Sequence, residues 1–176
     1  RMGRDKARLI VDGTTLAERT AALLRRVTAT AVEVGPGVSG LPWSLEDPRG
    51  DGPLVAIAQG RRMLQERGHD GPALVLACDL PLLSEALLRF LVERSAPQSV
   101  VPVVEERPQP LCAKWSPRDL DSAGTLAKSG VRSVRFLSDL PETMLLDESA
   151  WRETIDGVEF SDVDYPDDLR RLGIDP

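Results

Sequence analysis

The sequence predicts an α/β protein, a three-layer α/β/α sandwich around a mostly parallel sheet. Short apolar, β-branched runs alternate along the chain with amphipathic runs of helical period, which is the pattern of a layered α/β domain. One short run, Ala73 to Cys78 (ALVLAC), is apolar at every position. A strand tolerates that only when helices cover both of its faces. The 176 residues are 41% hydrophobic and 28% charged, enough apolar material for one core and unlike a disordered chain. No linker or repeat divides them, so residues 1–176 are expected to form a single domain.

The elements follow in order. Arg1-Met2-Gly3-Arg4-Asp5-Lys6-Ala7 is a basic loop in which Gly3 allows close backbone approach. Thr15 to Val27 carries Leu16, Thr20, Leu23, Leu24 and Val27 at helical spacing, and Thr15 with Glu18 makes a capping box. Thr30 to Val34 is a strand closed by Gly35-Pro36-Gly37. Leu41 to Glu46 is a short strand stopped at Asp47-Pro48. Pro53 opens a helix with Leu54, Ile57, Ala58 and Leu64 on its buried stripe, and Gly68 ends it. Ala73 to Cys78 is the central parallel strand. Ser84 caps a helix bearing Leu87, Leu88, Leu91 and Val92. Ser99 to Val104 is a strand in which Pro102 indicates an edge or a bulge. Leu111 to Trp115 and Thr143 to Leu146 are short strands, with a helix over Pro117 to Ala127 between them. Val158 to Val163, read as extended, leads to a final helix from Pro166 to Leu172, acidic at its start and basic at its end.

Composition excludes several functions. Twenty-two basic residues against 28 acidic ones give a net charge of −6, the wrong sign for a nucleic-acid binder. The longest clean apolar run has six residues, far short of the roughly 18 of a membrane span. Cys78 and Cys112 read as buried thiols of a reducing cytosol. A lone histidine, His69, excludes sites that need two. Only three lysines occur, Lys6, Lys114 and Lys128. In so arginine-rich a chain, a lysine marks a position suited to a compact point charge.

In sheets of this class ligands bind beyond the carboxyl ends of the strands. The chain leaves its strands there at Asp47, at Asp79 and at the pair Asp162 and Asp164. Aspartate also favours turns, but these stations opposite a basic loop suit a hard cation with a phosphate. Alternation along a strand puts Asp162 and Asp164 on one face. GxxxxGK[ST] is missing, which excludes a standard P-loop.

Arg1 to Ala7, followed by Leu9 and by Gly13-Thr14-Thr15-Leu16, resembles the signature of the molybdenum cofactor guanylyltransferases. Glu46-Asp47, Gly52-Pro53-Leu54, Cys78-Asp79-Leu80-Pro81 and Gln109-Pro110-Leu111 match further motifs in order. Asp162-Val163-Asp164-Tyr165-Pro166-Asp167-Asp168-Leu169 resembles the closing Asn-x-Asn-Thr-Pro-Glu-Asp-Leu. The resemblance spans essentially the whole chain. It implies a Rossmann-like fold of the nucleotide-diphospho-sugar transferase type. It also implies transfer of GMP from GTP to the phosphate of molybdopterin, or of the molybdenum cofactor, with release of pyrophosphate.

Carried over residue by residue, the catalytic set is Arg1, Lys6 and Asp79, with Arg1 and Lys6 as the phosphate-binding pair. Asp79 matches the principal carboxylate for Mg2+, and Asp164 the second metal position, usually Asn. The nucleotide-binding set is Lys6, Asp47, Gly52, Pro53, Leu54 and Asp79. Cofactor-delivery or acceptor proteins are implied as partners, and the cytoplasm as location. The chain departs from the pattern in four places, one of them Val55-Ala56, where small or glycine residues often follow Gly-Pro-Leu. A Leu-x-Gly-Gly loop that contacts the base is expected just ahead of Arg1. Val34-Gly35-Pro36 stands where a base-side Asn is usual. Asp162, Asp164 and Tyr165 replace Asn, Asn and Thr. The alternatives are a sister enzyme that uses CTP or another phosphorylated acceptor, and a non-catalytic nucleotide-binding relative.

Overall fold

A computed structural model describes residues 6–94, 97–164 and 166–174. The described chain opens with a 3₁₀ turn, Lys6–Arg8, and an antiparallel ribbon of β1 (Ile10–Val11) and β2 (Thr14–Thr15). Helix α1 (Leu16–Val27) leads to a parallel pair, β3 (Glu33–Val34) and β4 (Trp43–Ser44). Then come α2 (Pro53–Gln65), β5 (Ala73–Leu76), α3 (Glu85–Glu93), β6 (Val100–Val104) and β7 (Arg107–Pro108). The chain continues through β8 (Cys112–Trp115), α4 (Pro117–Lys128), α5 (Arg135–Ser138), β9 (Met144–Leu146) and α6 (Pro166–Arg171).

The α/β class is as the sequence predicts, and in its hydrogen bonding the main sheet is mixed. β8 lies between β5 and β6 and is antiparallel to both. β5 and β6 therefore run the same way, and β9 lies parallel to β6. Periodicity could not show this, because β8 is short and follows its neighbour through the tight β6–β7 hairpin.

The layers follow from alternation along the strands. Leu74 and Leu76 of β5 and Cys112 of β8 pack with Leu87, Leu88 and Leu91 of α3 and with Leu23 and Val27 of α1. Ala73 and Val75, with Ala113 and Trp115, pack on the opposite face against Leu54 and Ile57 of α2 and Leu120 and Ala123 of α4. Helices thus cover both faces, which accounts for the unbroken apolar run of β5.

Local signals act as expected. The Thr15 hydroxyl accepts from the Glu18 amide at 3.1 Å, and the Glu18 carboxylate accepts from the Thr15 amide at 2.9 Å. After α2, Gly68 sits at φ +76°. Its amide donates to Gln65 and the His69 amide to Leu64, the paired bonds of a glycine-closed helix end.

Four expectations are corrected. Among the described residues β5, expected as the central parallel strand, pairs only with β8, antiparallel, and ends the order β5–β8–β6–β7. β6 is no edge strand, since it pairs with β7, β8 and β9. Pro102 is tolerated because the β6–β8 ladder is confined to Val100 opposite Lys114, so no donor is required of Pro102. Residues 158–163 are not a strand: Val158–Phe160 is a 3₁₀ turn and 161–163 is irregular. Cys112 is buried but Cys78 is only half-buried. Among the described residues no helix is long and apolar enough to cross a membrane.

Removing the Thr15 cap orphans a helix N–H group. Thr15→Ala should destabilise the protein by about 1 kcal/mol. Urea unfolding checks it, and an unchanged midpoint would show that the cap contributes nothing.

Candidate active site

Strand β5 fixes the position of Asp79. The Ala77 amide donates to Leu111 O at 2.7 Å, and the Val163 amide donates to Asp79 O at 3.0 Å. The main chain around Asp79 is thereby tied to the segments bearing Gln109-Pro110-Leu111 and Asp164. The Lys6–Arg8 turn closes through Leu9 N to Lys6 O at 3.0 Å and buries Ala7. The Asp168 carboxylate accepts from the Asp164 amide at 2.9 Å, which ties Asp164 to the start of α6.

These constraints bring three side chains together. Lys6 Nζ donates to Asp79 Oδ2 at 2.9 Å and to Asp164 Oδ1 at 2.6 Å. The residues lie 73 and 158 positions apart in sequence. Asp79 is the more sheltered carboxylate, at 23% side-chain exposure against 55% for Asp164. The ammonium has three donors. Two serve the aspartates, which leaves one to meet an anion arriving from solvent.

Burial alone would lower the Lys6 pKa. Hydrogen bonds to Asp164 and Asp79, and their negative charge, outweigh it and hold the ammonium well above its ordinary value. Cys112 is excluded as a nucleophile, because burial, with the nearby Glu159 charge, pushes its thiol up to about 12.

Asp79 borders two cavities. One, of about 380 Å³, lies between β3 and β5. The other, of about 630 Å³, is lined by Arg107, Gln109, Trp151, Arg152 and Asp162 among others. Arg107 and Arg152 line the wider cavity together with four carboxylates, those of Asp79, Glu105, Asp156 and Asp162, and Arg152 is paired with Glu148. Sequence reasoning missed the two arginines, because residues 45 apart on a hairpin strand and an irregular segment share no spacing.

The other expected site residues fall as follows. Arg1 and Tyr165 lie outside the described residues. Asp162 lines the wider cavity, and since 161–163 is not a strand it shares no strand face with Asp164. Asp47 makes no hydrogen bond to the Lys6 cluster among the described residues. Gly52 begins α2 at φ +97°, where an added Cβ would stand 3.2 Å from Arg132 O, so glycine is required there. Pro53 opens α2 and edges the narrower cavity. Leu54 is fully buried in the core, so its side chain serves packing, while its backbone belongs to the helix start.

The donor set was tested against Mg2+. Among the described residues no group of three or more His, Cys, Asp and Glu is placed to hold a metal. Asp79 and Asp164 do converge on one cation, the Lys6 ammonium. Two carboxylates suit Mg2+, which keeps waters and takes phosphate oxygens rather than a cage made wholly of protein.

Fold and site together define an α/β domain with an acid–lysine cluster at the carboxyl end of β5. Residues 1–142 match the MobA-like NTP transferase domain, and the chain belongs to that family. Its fold is similar to that of molybdopterin-guanine dinucleotide biosynthesis protein A from Archaeoglobus fulgidus. The TM-score is 0.78 at 19% identity, over 97% of this chain and 90% of that one. A protein of Aquifex aeolicus VF5 has a similar fold, with TM-score 0.66 at 15% identity over 85% of this chain and 79% of that one. No curated protein matches the chain.

The raised Lys6 pKa has a definite sign in stability. Its contribution is fully present below the unfolded lysine value of about 10.4 and is lost as pH rises through the higher folded value. The stability difference between wild type and Lys6→Met should be constant from about pH 6 to about pH 9 and shrink above about 10.4. Denaturant unfolding across this range checks it. A difference that shrinks near neutrality would contradict the ion-pair assignment.

Proposed function

We propose that the protein transfers GMP from GTP to the phosphate of molybdopterin, or of the molybdenum cofactor, and releases pyrophosphate. The observation that supports this most is the convergence of Lys6, Asp79 and Asp164 at the carboxyl end of β5, in a chain of the MobA-like NTP transferase family. The motif from Arg1 to Ala7 supports the molybdenum cofactor branch of the family. So does the printed name of the Archaeoglobus protein.

In this reading an acceptor phosphate oxygen bonds to the α-phosphorus of GTP. The bond from that phosphorus to the α–β bridging oxygen breaks, and pyrophosphate leaves with the electron pair. Enzymes of phosphoryl transfer contribute positioning and charge stabilisation rather than covalent chemistry. Lys6 uses its remaining donor on the triphosphate, and Arg1 is its proposed companion. Asp79 and Asp164 would hold Mg2+, which would supply offsetting charge at the phosphates. Gly52 and Pro53 place the start of α2 beside the nucleotide, and Asp47 joins that side of the pocket. Cofactor-delivery or acceptor proteins are the partners of this reading, and the cytoplasm its location.

Assays with molybdopterin, Mg2+ and either GTP or CTP test it. The dinucleotide and pyrophosphate should form with GTP. Product from CTP alone would move the protein to the sister activity, and no product from either would favour a non-catalytic relative. Lys6→Ala should lose roughly 2–4 kcal/mol of transition-state stabilisation, the scale of one electrostatic donor. Asp79→Asn should raise the Mg2+ requirement sharply. Asp164→Asn, which restores the usual family residue, should stay active with weaker Mg2+ affinity, whereas Asp164→Ala should be badly impaired. Equal Mg2+ titrations for all of them would remove the aspartates from the metal site.

A further inference from the structure

The two carboxylates that suit a metal, those of Asp79 and Asp164, are bridged by a cation of the chain itself. Lys6 Nζ stands 2.9 Å from Asp79 Oδ2 and 2.6 Å from Asp164 Oδ1. Coordination draws an oxygen to about 2.0–2.1 Å from Mg2+, closer than either stands to the ammonium. One oxygen of each carboxylate therefore cannot serve both cations at once. Two cations side by side also repel each other. What satisfies the aspartates in this structure is what a metal has to displace.

The residues suit displacement. A lysine ammonium is a compact, strongly hydrated charge on a flexible four-carbon stem, whereas an arginine fork grips carboxylates in a fixed plane. Only three of the chain's 22 basic residues are lysines, and Lys6 is the one at this cluster. Its main chain is pinned. The Leu9 amide donates to Lys6 O at 3.0 Å, and Ala7 beside it is buried. Its side chain is 29% exposed, so the stem can swing while the turn stays in place.

The two aspartates are held by their backbones. The Val163 amide donates to Asp79 O, and the Asp164 amide donates to the Asp168 carboxylate. Both carboxylates thus keep their places when the ammonium leaves. The bond from Lys6 to Asp164 is the one nearer solvent, since Asp164 is the more exposed partner. A hydrated ion meets that bond first.

We propose that Lys6 is a stand-in cation, which neutralises Asp79 and Asp164 until a divalent metal replaces it and then turns its freed ammonium to the phosphates that arrive with the metal. This rests on the reaction assigned above and adds an exchange to it. A molecule whose aspartates are bridged by Lys6 is closed to the metal, so the apparent metal affinity falls with the fraction of molecules that are open. Phosphates that hold the displaced ammonium remove that penalty. Metal and nucleotide then favour each other through Lys6, beyond any contact between them. A lysine that served phosphate alone, with no hold on the aspartates, would leave binding of the metal by itself unchanged.

The exchange is tested with Mn2+, a paramagnetic ion that shares the preference of Mg2+ for carboxylate oxygens. Wild type and Lys6→Met are titrated with Mn2+ alone, and free Mn2+ is read by electron paramagnetic resonance. Lys6→Met should bind Mn2+ at least about 10-fold more tightly, the effect of a wild-type site open in about one molecule in ten. In wild type labelled with ¹⁵N-lysine, saturating Mg2+ without nucleotide should remove the Lys6 ammonium signal, because an ammonium released to water exchanges its protons too fast to be seen. Equal Mn2+ affinities in the two proteins overturn the proposal. So does a wild-type Lys6 signal that stays unmoved at saturating Mg2+, which would put the metal beside the ammonium and leave only repulsion between them. Failure of the underlying reading looks different. No Mn2+ bound by either protein, with or without GTP, removes the metal from the reaction and takes the exchange with it, whereas equal binding by both removes the exchange alone.

Discussion

A single ammonium between two carboxylates organises this molecule's functional end. Lys6, Asp79 and Asp164 lie far apart in sequence, and two like charges brought close repel unless a cation separates them. The Lys6 ammonium is that cation in the structure. Its position depends on the 3₁₀ turn at Lys6–Arg8, on the rigid exit from β5 and on the start of α6. The cluster is partly open to solvent, so water screens the attraction and its contribution to folding is modest. Its importance is positional: the ammonium and both carboxylates are held at fixed points at the carboxyl end of β5.

The rest of the fold supports that arrangement. Helices on both faces bury the sheet and make β5 a rigid mount for Asp79. The antiparallel insertion of β8 brings Leu111 against Ala77, and with it the Gln109-Pro110-Leu111 motif to the rim of the wider cavity. Asp79 then stands between two cavities. One lies against β3 and β5, and the other carries Arg107 and Arg152.

Much of this was legible in the sequence where the signal was local. The capping box at Thr15, the glycine end of α2 and the apolar run of β5 each depend on residues a few positions apart, and all appear as expected. Asp79 and Asp164 were legible because a strand exit and a helix start are places where acidic residues have a physical reason to stand. Long-range pairing was not legible. Nothing in Cys112–Trp115 states that it inserts antiparallel between β5 and β6. Pro102 looked like an edge residue because its missing donor is a local fact, whereas the lapse of the β8 ladder opposite it is a tertiary one. Leu54 sits in a family motif and in the core at once, and only its burial separates the two roles.

The account rests on Lys6 meeting a nucleotide's phosphates, and the rarity of lysine makes that directly observable. With three lysines in the chain, an ¹⁵N-lysine-labelled sample gives three ammonium signals, assignable by substituting each residue. Addition of GTP with Mg2+ should shift and broaden the Lys6 signal while leaving Lys114 and Lys128 in place. Saturating binding of the nucleotide with an unmoved Lys6 signal would contradict the account.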